Sequence, residues 1–553
     1  MLINLFKQGL RISLPTLFLI GCGGGGGGFS STSNDDQTDN VKFNDPTTIT
    51  SLWTKGVFEP AVNYKDQCHN PRTGIDPYTN SNFPDKAGSS MHEKMWLRSW
   101  SNDTYLWYNE IIDVNPQSYS VLSYFDHLKT KERNQSGELK DNFHFAQPTD
   151  EYNAASQGGT VSGYGIDWNF VSTMPPRKLI VNYTEDNSPA ALANVKRGFE
   201  LVEIDGIDFI NTNTSSNIDK INNALFPSDN GLSHEFTFAD PNNNTEITVT
   251  LTSADIAVNY VQNVKQVDSG QGSIGYLQLN GFNRNGQSQL ISAINQFSNA
   301  NVSDLVIDLR YNGGGLLVMS SQLAYMVAGQ AQSSGLTFET TQFNDKYPSK
   351  DPVTNETLTP TPFYDKEIDW SIGAFTTTSL PSLNLARVFI LSTENTCSAS
   401  EALINGLRGI DVEVILIGDS TCGKPYGFYP QDNCGTTYFT IQFSGVNDKG
   451  FGEYSQGFKP TPNPVAPADV LGCQVADDYN YPLGDENEAL FAAAINYAQT
   501  GSCPVQAQTQ SSIRQTTVNE DGIAIKTPNT MLNAIIEENK IYTKITGQTP
   551  TSH

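Results

Sequence analysis

Positive charge is scarce in this chain: 33 Lys and Arg stand against 59 Asp and Glu, a formal net charge of −26. No basic stripe interrupts the deficit, and nucleic acid is not expected as a partner, because phosphate binding needs Lys and Arg in excess on some face. Histidine is scarcer still, with six residues at 69, 92, 127, 144, 234 and 553. Neither C-x-x-C nor H-E-x-x-H occurs, so a zinc site has little support and no metal or cofactor is expected. The early apolar run "LPTLFLIGC" is too short to span a bilayer permanently.

What is present begins at that run. Lys7 and Arg11 flank it, and it ends at small residues, the pattern of an export signal. Leu19-Ile20-Gly21-Cys22 resembles the lipobox of bacterial lipoproteins. The resemblance implies cleavage before Cys22 and lipidation of its thiol, and Gly23 in the next position favours delivery to the outer membrane, facing the periplasm. The alternative is an ordinary signal peptide with a chance cysteine. Residues 1–21 are thus expected to be a signal peptide, and 22–50, rich in Gly, Ser and Asn, a flexible tether. Six other cysteines remain, an even number suited to disulfides in an oxidising compartment. Of their 15 possible pairings, Cys422 with Cys434 across a hairpin and Cys473 with Cys503 around a helix are the two expected here.

The length predicts several domains. Over 51–149, "HEKMWLRSWSNDTYLWYNEI" carries aromatic and aliphatic residues at helical spacing, and a small helical domain is expected. Its Trp and Tyr stripe reads as core. From 150 to 258, β-like runs such as "KLIVNY", "ELVEIDG" and "TEITVTLTS" alternate with Gly, Asn and Asp turns. Here "SGYGIDW" and "SPAALANVKRGFELVEIDGIDF" resemble a PDZ domain of bacterial processing proteases. That resemblance implies a carboxylate-binding loop at Tyr164-Gly165-Ile166, whose backbone N–H groups would hold a peptide C-terminus. From 259 to 505, strands alternate with helices, which argues an α/β core. Within it, 329–383 reads as an insertion or long loop. The remaining 506–553 form a polar tail with one amphipathic stretch, "NTMLNAIIEENKIY".

"TCSASEALINGL" opens the last question. Ser398-Ala399-Ser400-Glu401 fits a capping box at a helix start. A serine there can also act as a nucleophile if a base and oxyanion donors converge on it. No histidine lies in the α/β region, which leaves lysine, usable where burial disfavours its charged form. Lys424, in "GDSTCGK", follows an apolar strand after a glycine turn and lies 26 residues beyond Ser398. Taken alone it would be a solvated loop residue, and "DLVIDLRYNGGG" alone a tight turn after a strand.

Together, "GYLQLNGF", "DLVIDLRYNGGGLL", "TCSASE" and "GDSTCGK" resemble, in order and spacing, the tail-specific or C-terminal processing serine peptidases of family S41. The resemblance implies a multidomain fold: an N-terminal helical domain, a β-rich PDZ-like domain and an α/β peptidase core of the ClpP/crotonase-like type. It also implies Ser398 as nucleophile, Lys424 as general base, and Ala399 and Gly314 as oxyanion donors, with Gly315 the lesser choice. Ser400 is the rival nucleophile, although it points about 200° away around the helix. Two departures stand out. The position four residues after the lysine, often Gln in the family, is Phe428, so Gln442 is a candidate to orient Lys424. The usual Asn-Pro-Gly-Gly turn is Asn312-Gly313-Gly314-Gly315. The expected activity is endopeptidase cleavage of unfolded or C-terminal protein segments; the alternative is a non-catalytic lipoprotein that binds peptides or hydrophobic ligands with the same fold.

Overall fold

The computed structural model describes residues 52–504, except 135, 136, 138, 151, 154–159 and 228, together with 523–525. The export signal, Cys22, the tether and the amphipathic stretch of the tail lie outside the described residues. Among the described residues, no helix is long and apolar enough to cross a membrane.

Apolar runs flanked by turns form the centre of the chain. Seven strands make one sheet in the spatial order 261–268, 273–279, 304–308, 387–392, 413–418, 469–474 and 459–461. The first pair is antiparallel and the remaining neighbours are parallel. Parallel strands joined by helical crossovers are covered on both faces, which is why "DLVIDL" and "VEVILIG" are apolar on successive residues rather than on alternate ones. Leu305, Ile307, Val388, Ile390 and Leu416 face the helices Gln287–Asn299, Leu317–Ala328 and Ala399–Gly409. Val306, Phe389, Leu391, Ile415 and Ile417 face the helix Ala489–Thr500. Truncating a side chain as enclosed as Ile307 to Ala would cost about 2–5 kcal/mol.

The stretch expected as a loop or insertion over 329–383 holds strands Thr337–Phe343, Thr361–Pro362, Lys366–Asp369 and Ala374–Ser379. Its threonines, taken as loop composition, are β-branched residues that suit an extended chain. Strand Thr337–Phe343 pairs with Phe443–Val446, which pairs with Tyr426–Gly427, forming a small sheet beside the helix Ala399–Gly409.

Residues 166–252 form an antiparallel sheet in the order 245–252, 233–240, 200–204, 178–184, 166–172, with the helix Ser215–Leu225 packed against it. Strand Ile166–Ser172 is an edge of this sheet. Ile525, from the polar tail, is buried in the same core, where its N–H donates to Thr173 O.

The N-terminal part holds helices Ser90–Thr104 and Val121–His127, with Trp96 stacked on Trp100 at 5.2 Å between ring centroids. Those rings are core, as their burial shows. Its last strand, Phe145–Pro148, completes a sheet with Thr436–Phe439 and Gln431–Asn433, so this part is stitched to the α/β region through backbone hydrogen bonds.

The disulfides are Cys68–Cys434, Cys397–Cys422 and Cys473–Cys503. The third pairing is as expected and Cys422–Cys434 is not. Cys434 sits at a hairpin turn that meets the N-terminal segment, where Cys68 waits 366 residues earlier. Cys422 follows the strand Glu413–Gly418, which lies beside Arg387–Ser392 in parallel, so the two strand exits bring Cys422 to Cys397.

Candidate active site

Helix Ala399–Gly409 begins at the exit of strand Arg387–Ser392, and Ser398 is its N-cap. An ordinary N-cap is extended. Ser398 instead has φ 53° and ψ −112°, a conformation that non-glycine residues rarely adopt and that clusters at functional sites. Gly314 explains what it meets: a Cβ added there would lie 2.7 Å from Ser398 Cβ and 3.0 Å from the Ala399 nitrogen. Only glycine, free of Cβ and at φ 113°, lets the Asn312–Gly315 turn approach the serine this closely.

The Glu401 carboxylate organises the site. It accepts from the Ser398 N–H at 3.0 Å and from the Lys424 N–H at 2.8 Å, and also from Gly423 N–H at 2.8 Å and Thr421 Oγ1 at 2.6 Å. One buried side chain therefore holds the backbone of both Ser398 and Lys424. Burial pushes the Glu401 carboxyl up, and the bonds from Thr421, Lys424, Gly423 and Ser398 oppose that push. The Cys397–Cys422 disulfide adds a covalent tie one residue before Ser398 and two before Lys424. In the sequence Glu401 has only the signature of a capping residue; its place as a bridge appears once the 421–424 turn folds over the helix start.

Ser398 and Lys424 line one cleft with Leu317, Glu339, Tyr426 and Phe443. The lysine is 1 % exposed. Its Nζ lies 4.4 Å from the Phe428 ring centroid and 5.3 Å from that of Phe143, so Phe428 encloses the amine and the N-terminal part supplies a second aromatic wall. Gln442 is committed elsewhere: its Oε1 accepts from Tyr429 N–H at 2.6 Å and its Nε2 donates to Thr104 Oγ1 at 3.0 Å. Through these two bonds it ties the N-terminal helix to this region. Ser400 Oγ donates to Asn312 O at 3.1 Å, turned into the protein. Ala399 opens the helix, where N–H groups lack intrahelical partners. Gly314, although against Ser398, donates its N–H to Asn312 Oδ1 at 2.9 Å.

A groove of about 320 Å³ runs from Tyr164, Gly165 and Ile166 past Trp168 and Phe226 to Gly313, beside the turn that faces Ser398. Gly165, at φ 76°, packs so close to Ser188 that a Cβ would fall 2.3 Å from its Cβ. Two acids line the groove, and burial raises both: Asp167 to about 6 and Glu185 to about 7.

Residues 273–431 match the family model described as Peptidase family S41, a span that includes Ser398, Lys424 and the Asn312–Gly315 turn. Over that span the chain is similar to the S41 peptidases. A carboxyl-terminal-processing protease of Picosynechococcus sp. is 26% identical over 269 residues, 49% of this chain and 56% of that protein. The chain thus spans little more than half of that curated relative. In fold, the chain resembles a Bacteroides fragilis protein provisionally described as an S41 protease, with a TM-score of 0.54, 20% identity, and coverage of 74% of this chain and 97% of that one. A photosystem II D1 C-terminal processing protease matches with a TM-score of 0.40 and 16% identity, over 68% of this chain and 92% of that one. The S41 span covers four of the seven strands of the central sheet and ends before the last two, 459–461 and 469–474.

Proposed function

We propose that the protein is a serine endopeptidase with a Ser398–Lys424 dyad, acting on unfolded or C-terminal segments of proteins, and that lipid on Cys22 tethers it to the outer membrane on the periplasmic side. The observation that carries the catalytic reading is the Glu401 bridge, which fixes the backbones of residues 398 and 424 in one buried cleft.

In this reading, neutral Lys424 Nζ takes the Ser398 Oγ proton as Oγ bonds to the scissile carbonyl carbon. The oxyanion forms at the helix start, where the Ala399 N–H and the positive end of the helix stabilise it. Gly314 joins once its N–H exchanges Asn312 Oδ1 for the oxyanion. As the carbon–nitrogen bond breaks, Lys424 returns the proton to the leaving amine. Water then attacks the ester, its proton passing through Lys424 to Ser398 Oγ as the acyl–oxygen bond breaks.

The 150–258 region is read as a PDZ-like domain on two supports: Ile166–Ser172 is an edge strand open to an added peptide strand, and the groove beside it leads to Gly313. An extended peptide held at Tyr164–Ile166 would run toward the dyad. The alternative of a binding lipoprotein predicts no acylation. A fluorophosphonate probe should label Ser398, as located by mass spectrometry, and Ser398→Ala and Lys424→Ala should each abolish peptide cleavage. Lys424→Arg should also be inactive, because arginine stays protonated and cannot accept a proton. Labelling at Ser400, or an active Lys424→Arg variant, would displace the dyad.

A further inference from the structure

Glu339 stands in the wall of the cleft that holds Ser398 and Lys424. It is 7 % exposed, and its carboxylate has no hydrogen-bond or ion-pair partner among the described residues. Burying a carboxylate without a partner is costly. The cost shows in its acidity, which burial alone pushes up to about 7. The carboxyl lies over Gly445, where a Cβ would come within 2.3 Å of Oε2, so the strand beneath has glycine where any side chain would displace the acid. Glu339, Leu317 and Phe443 also line a second cavity on the far side, where Asp351 and Glu356 add acid and no basic side chain contributes. Asp351 is already engaged by Tyr429 Oη and by the Val353 and Thr354 N–H groups, which leaves Glu339 as the acid facing the dyad without a partner.

We propose that Glu339 forms the wall of the pocket for the substrate residue on the acyl side of the scissile bond, and that it selects lysine or arginine there. This rests on the Ser398–Lys424 reading. The acylated residue is the one bound to Ser398, so its side chain is the one presented to this cleft. A cationic end would supply the ion pair that Glu339 lacks, with charge-assisted hydrogen bonds in a water-poor site. The cleft holds about 10 Å³ of free space, one water's worth, and Leu317, Glu339 and Phe443 are shared between its wall and that of the second cavity, which holds about 50 Å³.

The test uses the full chain and peptides of one sequence that differ at a single position, occupied by Lys, Arg, Met, Gln or Glu, with cleavage sites read by mass spectrometry. Lys and Arg should be cleaved after at least about tenfold more efficiently in kcat/KM than Met, and Glu least of all. Glu339→Gln should reduce the Lys-to-Met ratio by about tenfold, and Glu339→Leu should reverse it. Cleavage after Met equal to that after Lys by the unmodified protein overturns the inference and leaves the dyad standing, a result that does not depend on any variant folding. An undiminished Lys preference in Glu339→Gln removes Glu339 as its cause. No cleavage of any peptide, with Ser398 unlabelled by the fluorophosphonate, overturns this inference and the dyad together.

Discussion

The cleft of Ser398 and Lys424 and the groove at Tyr164–Ile166 both adjoin the Asn312–Gly315 turn, yet they are built by opposite means. The cleft is narrow and tied: a disulfide, a fully buried Glu401 and two aromatic rings fix its walls, and little free space remains. The groove is roomier, with about 320 Å³ of free volume beside a strand edge that pairs with no further strand among the described residues. Under the proposed function, the difference follows from what each would do. A nucleophile and base gain from being held in place before substrate arrives, whereas a site that accepts varied chains gains from backbone recognition and room.

Glu401 is where that contrast breaks most sharply. A Gln there keeps the shape but offers one acceptor oxygen and an NH₂ that would face either the Ser398 and Lys424 N–H groups or the Gly423 N–H. Glu401→Gln should lower kcat by about 100-fold, from loss of positioning in a buried network. Peptide binding at the groove should stay within error, as measured by fluorescence anisotropy. The paired variant Cys397→Ser/Cys422→Ser should fall in the same direction by a smaller factor, since Glu401 remains. Equal losses in turnover and in groove binding would mean that the two sites are one mechanical unit.

A second comparison probes the groove alone. If backbone N–H groups at Tyr164–Ile166 hold a terminal carboxylate, amidating a peptide should weaken its binding by about tenfold, because charge-assisted bonds to backbone donors are lost. Fluorophosphonate labelling of Ser398 should not change. Equal affinities for matched free-acid and amidated peptides would mean that the groove reads side chains or adds a strand without capturing the terminus.

Much of the cleft was legible from one dimension. Four motifs in register pointed to Ser398, Lys424 and the glycine turn, because strand exits and helix starts leave short local signatures. What escaped was whatever depended on distant elements meeting. Phe143 and Gln442 reach their places across a sheet formed between residues 145–148 and 431–439, and no local pattern encodes that pairing. The Cys397–Cys422 bond depends on parallel strand order, which spacing alone leaves undetermined. Glu339 was hidden for another reason: it sits in a Thr-rich stretch whose composition resembles a loop, and its burial is a property of the sheet it joins.

The smallest expected effect separates the two sites by pH. His144 is buried next to Phe143, with one ring nitrogen 2.8 Å from Phe125 O and the other 2.9 Å from Thr440 Oγ1, and burial pushes it down to about 4. Its folded value lies below the unfolded one, so its stabilising contribution is complete above about 6.5 and is lost as pH falls toward 4. The groove acids work in the other sense. Asp167 and Glu185 are raised, to about 6 and about 7, so the folded state binds their protons more tightly and that part of the molecule gains stability as pH falls through those values. Lowering pH from 8 to 6 should therefore cost the N-terminal support of the cleft about 1 kcal/mol while the groove strands gain. Amide hydrogen exchange, corrected for the intrinsic rate at each pH, should show protection falling around 124–126 and 143–146 and rising over 166–184. His144→Gln should flatten the first trend and leave the second. The same slope in that variant as in the parent would mean that another group drives the acid response of the cleft.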